Sequence, residues 1–247
     1  METINKSLRI LTALVEESGA RISELSHILN IPDSTVHAHL SALSDHGLVQ
    51  KQGDEYKIGP RFLYFSGSLL YDDDIYPLIE SKVKYIAQKT GERTQFIIEH
   101  DGKAVYLFVK TDGENAIKAD VRPGKITDLH ATAAGKAILA GYNQNDVESI
   151  LTSTSLNQHT KHTLKNKEQL MEDLEQINDR GYAVNDQERI NKQVAIGVTI
   201  NDHFENPIGA LSVSGPTHRI NDGDLHKKLP NLLMGVAEEV ELTIQYK

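Results

Sequence analysis

Residues 129–140 read LHATAAGKAILA, and their chemistry is that of an anion site at a helix start. The Thr132 hydroxyl can cap a helix whose first turn is Ala133, Ala134 and Gly135. Side chains this small leave backbone N–H groups uncovered, and bare amides at a helix N-terminus attract a carboxylate. The same residues also suit tight packing of a helix on a sheet. Gly135-Lys136 invites a nucleotide reading. A phosphate-binding loop, however, needs a glycine five residues before that glycine and a Ser or Thr after the lysine. His130 and Ala137 stand in those places. His159 and His162 are spaced as a metal pair could be, but the sequence supplies no third ligand at zinc-site spacing, and histidines in such a polar segment read as solvated. His130, His159, His162, Asp186, Glu188, Ser212 and Ser214 remain as pieces for catalysis. No Gly-x-Ser-x-Gly elbow, HExxH pair or glycine-rich dinucleotide loop organises them. The reading is therefore not an enzyme, with no catalytic residues, no metal and no cofactor.

Composition narrows the class further. The chain has 247 residues, 39% hydrophobic and 25% charged, which is ordinary for a globular protein. It has no cysteine, so disulfides, thiolate zinc sites and a cysteine nucleophile are excluded. No apolar run approaches the roughly 18 residues of a membrane helix, and the opening segment is too interrupted by charge for a signal peptide. A cytoplasmic location with no membrane contact is expected. The net charge of −9 rules out bulk attraction to nucleic acid, so any DNA contact must be local. The first 66 residues carry 6 basic and 8 acidic side chains, and four of the eleven histidines.

That first segment has the elements to make such a local contact. Ile4, Leu8, Leu11, Leu14 and Val15 recur at helical spacing and predict a helix with one apolar stripe, ended by Gly19. A second helix starts near Ser23 as N-cap, with Leu25, Ile28 and Leu29 inward. After the turn at residues 30–33 comes a third, over 34–46, with Val36, Leu40 and Leu43 inward and Gly47 at its end. Strands at 48–51 and 56–58 flank a turn and form a hairpin. Three helices and a hairpin in sixty residues describe a winged helix-turn-helix. The exposed face of the third helix shows Ser34, Ala38, Ser41 and Asp45, with Thr35 and His37 beside it, and no Lys or Arg. Ser34, Thr35 and Ser41 can still donate to phosphate, and Arg21, Ser23 and Lys51 flank the helix. The DNA-binding set is therefore Arg21, Ser23, Ser34, Thr35, His37, Ala38, Ser41 and Lys51. Affinity per site should be modest, which calls for a homodimer or homotetramer on a double-stranded operator.

Residues 61–75 are too apolar for a solvated linker, and a partner subunit is their expected cover. From residue 76 the pattern changes. A helix at 77–90 precedes strands at 94–99 and 104–110 around a turn at 100–103, a third strand at 115–122, and two more at 194–200 and 208–213. Helices are predicted at 133–140, 144–151, 166–180 and 231–246. The fold class is α+β with a mainly antiparallel sheet. The domains expected are 1–60, a linker helix at 61–75, and 76–247.

Several ordered blocks resemble the IclR (isocitrate lyase regulator) family of transcription factors. They are Ile22-Ser-Glu-Leu-Ser, residues 29–37, His46-Gly-Leu-Val, residues 56–62, Thr90-Gly-Glu, residues 129–140, residues 180–188, and residues 210–216. The family usually carries a basic residue after the turn proline and an arginine within the third helix, where this chain has Asp33 and Ala38. The resemblance implies a GAF-like effector-binding domain with a pocket for a small organic acid or sugar acid. Carried over by position, the amides of Ala133 and Ala134 would hold a carboxylate beside Thr132 and Gly135. Asn185, Asp186, Ala195, Ser212 and Ser214 would complete the pocket, the two serines sharing one strand face. Asn185 replaces a common aspartate, Gln187 an acidic residue and Val198 a common proline, so the effector cannot be copied from a relative. A regulator acting through protein partners, with weak or no DNA binding, is the alternative that Asp33 and Ala38 motivate.

Overall fold

The computed structural model describes residues 2–71, 74–112, 121–221 and 225–246. The chain divides into two units, Met1–Asp74 and Ile75–Lys247. In the first, α1 (Glu2–Glu16), α2 (Ile22–Leu29) and α3 (Asp33–Asp45) surround Ile10, Leu14, Leu25, Val36 and Leu40. Each of these apolar side chains contributes about 1.5–3 kcal/mol by leaving water. β1 (Val49–Gln52) pairs antiparallel with β2 (Glu55–Ile58) across the Gly53-Asp54 turn, forming the wing. α4 (Phe62–Tyr71) follows, with no buried residue.

Local details depart from the sequence reading. α2 starts one residue before Ser23. Its cap is Arg21, whose backbone N–H donates to Glu24 Oε2 at 2.7 Å. A carboxylate three residues on satisfies that N–H, which removes the need for the Ser23 hydroxyl. α3 begins at Asp33, whose charge suits a helix N-terminus. α1 ends at Glu16, and Ser18 takes the left-handed position just before Gly19. The expected single stripe of α1 is really two faces. Ile10, Ala13 and Leu14 are buried, whereas Ile4, Leu8 and Val15 are exposed, as is Ile28 of α2. A three-helix core this small has room for only one face of each helix.

The second unit opens with α5 (Ile75–Thr90), β3 (Arg93–His100) and β4 (Lys103–Lys110). Asp101 and Gly102 both have positive φ, the geometry of a two-residue hairpin turn. β5 (Ile126–Asp128), a 3-10 turn at Leu129–Ala131, α6 (Ala133–Gly141), α7 (Gln144–Ser153) and α8 (Lys167–Arg180) come next. Then follow β6 (Ala183–Asp186), β7 (Gln193–Asn201), β8 (Pro207–Pro216), α9 (Thr217–Asn221) and α10 (Leu225–Gln245). β5, β6 and α9 were not foreseen, because each is at most five residues and carries little periodic signal. α10 starts before the predicted 231 and contains Pro230. Most of the predicted strand at 115–122 lies outside the described residues, and Val121 and Arg122 are in no strand.

Among the described residues, six strands form one antiparallel sheet in the order β5-β4-β3-β8-β7-β6. Its two faces differ because strand side chains alternate. Phe96 and Phe108 meet Tyr76 of α5 on one face, with ring centroids 6.4 Å apart. α6 lies on the other, among Ile97, Ala104, Tyr106 and Ala210, with α8 behind it. α6 comes down onto β7 with almost nothing between the backbones. A Cβ on Gly197 would lie 2.7 Å from the Ala133 carbonyl carbon, and one on Gly135 only 2.2 Å from Leu129 O.

The segment entering α6 is tied from outside by Asp128. It takes Lys103 Nζ at 2.7 Å, His159 Nε2 at 2.9 Å and Asn157 Nδ2 at 3.1 Å. Burial pushes this carboxyl up, but the bonds from Lys103, Asn157 and His159 outweigh it and hold it at about 2. A carboxylate with a depressed folded pKa stabilises fully above its unfolded value and loses that contribution as pH falls through the folded one. Chemical denaturation should thus show wild type more stable than Asp128→Asn at pH 6, with the gap closing as pH drops from about 4 toward 2. Gly197→Ala should cost about 1–3 kcal/mol by overpacking, read as a lowered unfolding midpoint at unchanged denaturant slope.

Candidate functional site

The first turn of α6 is built as its residues predict. Thr132 Oγ1 accepts from the Gly135 N–H at 2.9 Å, so the hydroxyl caps the helix. Beside it opens a small cavity lined by Thr132, Ala133, Asn185, Ala195, Ser212 and Ser214 among others. The structure therefore gathers six of the nine expected effector residues. Ala134 and Gly135 are absent from the wall. Both are buried, and Ala134 N lies against Gly197 of β7. Asp186 is exposed, because side chains alternate along β6 and its neighbour Asn185 takes the inward place. Lys136 plays no part in the cavity. It is 1% exposed and bridges Glu188 and Asp173, at 2.7 Å each. Burial pushes the Glu188 carboxyl up, against the pull of Lys136.

The remaining wall was not read from the sequence. It includes Arg93, Gln95 and Ile97 of β3, Tyr106 of β4, Val121, Ala131, and Arg189, Ile190 and Gln193 at or before the start of β7. Polar Arg93 and Gln95 alternate with Thr94 and Phe96, so an inward polar stripe was visible in principle. Which face it served depended on the sheet order.

The hydrogen bonds of this wall leave donors pointing inward. Ser214 Oγ accepts from Gln95 Nε2 at 2.6 Å and from Arg93 Nε at 3.2 Å, so its own proton is free to be donated. Ser212 Oγ donates to Gln95 Oε1 at 2.8 Å. Asn185 Nδ2 donates to Ala131 O at 2.6 Å, and its Oδ1 accepts from the Glu188 N–H at 3.2 Å. The Asn185 amide thus braces the wall that it lines. Gln193 is 7% exposed, and its Nε2 has no hydrogen-bond partner among the described residues. A buried amide left unpaired costs about 1–3 kcal/mol, which a ligand acceptor would recover. Burial, more than any neighbouring charge, lowers the Arg93 pKa and raises that of Tyr106. The other histidines named as catalytic pieces are accounted for nearby. His130 Nε2 meets Asn157 O at 3.1 Å, and His162 is exposed.

In the first unit, Arg21, Ser23, Ser34, His37 and Lys51 surround one open concavity between the starts of α2 and α3 and the wing. Asp33 and Asp54 share it. Ala38 and Ser41 are exposed farther along α3, while Thr35 is half-buried. Lys51 Nζ stands 5.6 Å from the Tyr56 ring centroid, which fixes the wing lysine near α3's N-terminal end.

Comparison with known proteins agrees with both halves. Residues 3–53 match the IclR helix-turn-helix domain, and residues 68–242 match the family described as bacterial transcriptional regulator IclR C-terminal. A Halobacterium salinarum protein named "Probable HTH-type transcriptional regulator ArcR" is 27% identical, over 98% of this chain and 94% of its own. The crystal structure of the Thermotoga maritima IclR superposes with a TM-score of 0.83 at 27% identity, covering 99% of each chain. An IclR homolog from Microbacterium hydrocarbonoxydans, complexed with 4-hydroxybenzoate, has the same fold, with a TM-score of 0.82 at 19% identity over 99% of this chain and 100% of that one. With both domain matches in order along the chain, this protein belongs to the IclR family of transcriptional regulators.

Proposed function

We propose that this regulator binds an operator through its first unit and that a small carboxylate-bearing effector in the α6 cavity modulates that binding. The observation that carries the reading is the donor-rich cavity wall, with the Gln193 amide buried and unpaired. The space open to the centre of a water molecule is only about 30 Å³, which favours a compact acid. The aromatic acid in the M. hydrocarbonoxydans homolog belongs to the same broad class of small carboxylates. The direct contacts proposed are Thr132, Ala133, Ser212 and Ser214 over the floor at Ala195, joined by Arg93 and Gln193.

The DNA contacts proposed are Arg21, Ser23, Ser34, Thr35, His37, Ala38, Ser41 and Lys51, within a reader at 1–60. In the concavity Arg21 and Lys51 are offset by Asp33 and Asp54, so a single copy gains little from phosphate. Pairing supplies the remainder. Leu63 and Tyr64 of α4 are each 73% exposed, and Ile4 and Leu8 of α1 are exposed too. A second copy would cover such apolar faces and present two α3 helices to major grooves about 34 Å apart. An effector binding one arrangement tenfold better than another supplies about 1.4 kcal/mol of bias. The acid-neutralised concavity also favours a second reading, a regulator acting through protein partners with little DNA binding.

Gel shifts on the region upstream of its own gene separate these readings. Operator binding should weaken steeply between low and high salt, by about 0.9 log units per decade for each phosphate contact. Ala38→Arg should strengthen binding at either salt. Absence of any shift at low salt would establish the partner-only reading. Ser214→Phe should fill the cavity and abolish the response to added acids while leaving the gel shift intact. Loss of both together would contradict separate reader and sensor units.

A further inference from the structure

The loop between β6 and β7, residues 187–192, carries Arg189 and Ile190 to the cavity wall. Both of its corners are strained. Gln187 and Lys192 each have a φ of 62°, in the left-handed region that glycine tolerates and a side chain does not favour. The loop also closes on itself. Gln187 Oε1 accepts from the Lys192 N–H at 3.0 Å, and the Gln187 N–H donates to Gln193 O at 2.9 Å. Such a conformation persists only where the surrounding structure over-determines it.

That surrounding structure is a strap, residues 157–163, which crosses from the entry of α6 to this loop. At one end His159 is held by Asp128, and Asn157 O by His130 Nε2. At the other end two threonine hydroxyls meet the loop. Thr163 Oγ1 accepts from the His159 and Thr160 N–H groups at 3.0 and 2.9 Å and donates to Glu188 O at 2.5 Å. Thr160 Oγ1 accepts from the His162 N–H at 3.0 Å and donates to Gln187 O at 2.7 Å. A hydroxyl has one proton to give, and the strap's own N–H groups aim each of these at a loop carbonyl. Thr163 and Thr160 are 4% and 7% exposed, and neither lines the cavity. Because the strap holds both the entry of α6 and the loop, it sets the gap between the cavity walls at Ala131–Ala133 and at Arg189–Ile190. We propose that Thr160 and Thr163 are positioning residues of the effector site: they touch no guest, and they clasp the loop that does. This rests on the effector-site reading above and adds to it what keeps the site formed before a guest arrives.

Thr163→Val keeps the side chain's shape and removes its hydroxyl. Trypsin reads the result directly, because Arg189 and Lys192 are both cleavage sites within the loop. The full-length variant is compared with wild type, with Thr163→Ser, and with a core control, Val147→Ala in α7, at a temperature where circular dichroism shows all of them folded. Cleavage after Arg189 and Lys192 should be about tenfold faster in Thr163→Val than in the control, and should return to the wild-type rate in Thr163→Ser. Calorimetry follows with a panel of mono- and dicarboxylic acids, hydroxy acids and 4-hydroxybenzoate. The acid that wild type binds most tightly should bind Thr163→Val about tenfold more weakly, and should bind Thr163→Ser and Val147→Ala as it binds wild type. Thr160→Val removes the other hydroxyl, should act in the same direction, and carries the test if Thr163→Val does not fold. Loop cleavage no faster than in the control, or acid affinity unchanged once the loop is loosened, overturns the positioning role while the effector site stands. Binding of none of these acids by wild type overturns both.

Discussion

The second unit depends on one close approach, the first turn of α6 laid against strand β7. Backbone lies on backbone there, because Gly197 has no side chain and Ala133, Ala134 and Gly135 have almost none. Three consequences follow from that single contact. The helix N-terminus is brought to the sheet face where Ser212 and Ser214 point, the cavity becomes narrow, and Lys136 is driven inward to where only Glu188 and Asp173 can meet it. A buried lysine without those partners would be strongly destabilising, so the ion bridge is a requirement of the packing more than a source of stability. It also ties α6 to α8 and to the loop that carries Arg189.

The sheet then divides its labour by face. On one side Phe96, Phe108 and Tyr76 close an ordinary apolar layer. On the other, the apolar layer under α6 gives way to Arg93, Gln95, Ser212 and Ser214, which hydrogen-bond one another. Arg189 is half-buried beside Glu188, which Lys136 anchors.

The reader unit is economical in a different sense. Its core uses one face of each helix, and the leftover apolar residues of α1 and α4 are exposed. Basic and acidic side chains balance around the concavity at α3, where Arg21 and Lys51 stand with Asp33 and Asp54.

Much of this was legible in the residues. Helical spacing around Leu25, Val36 and Leu40, alternation in β7 and β8, and the Asp101-Gly102 turn are local signals, and local sterics and hydrogen bonding decide them. The Thr132 cap and the small turn after it were equally readable, as was the shared face of Ser212 and Ser214. Which of the two apolar stripes of α1 is buried, that Asp186 faces water while Asn185 braces a wall, and that Arg93, Gln193 and Arg189 meet across one cavity were decided by tertiary structure alone. The physical reason is that β3 reaches β8 only through long-range pairing, Arg93 lying opposite Ser214, whereas β7 joins β8 by a local hairpin. A period of two says that a side chain points to one face of a strand. Only the strand order and the helix laid upon it say what that face contains.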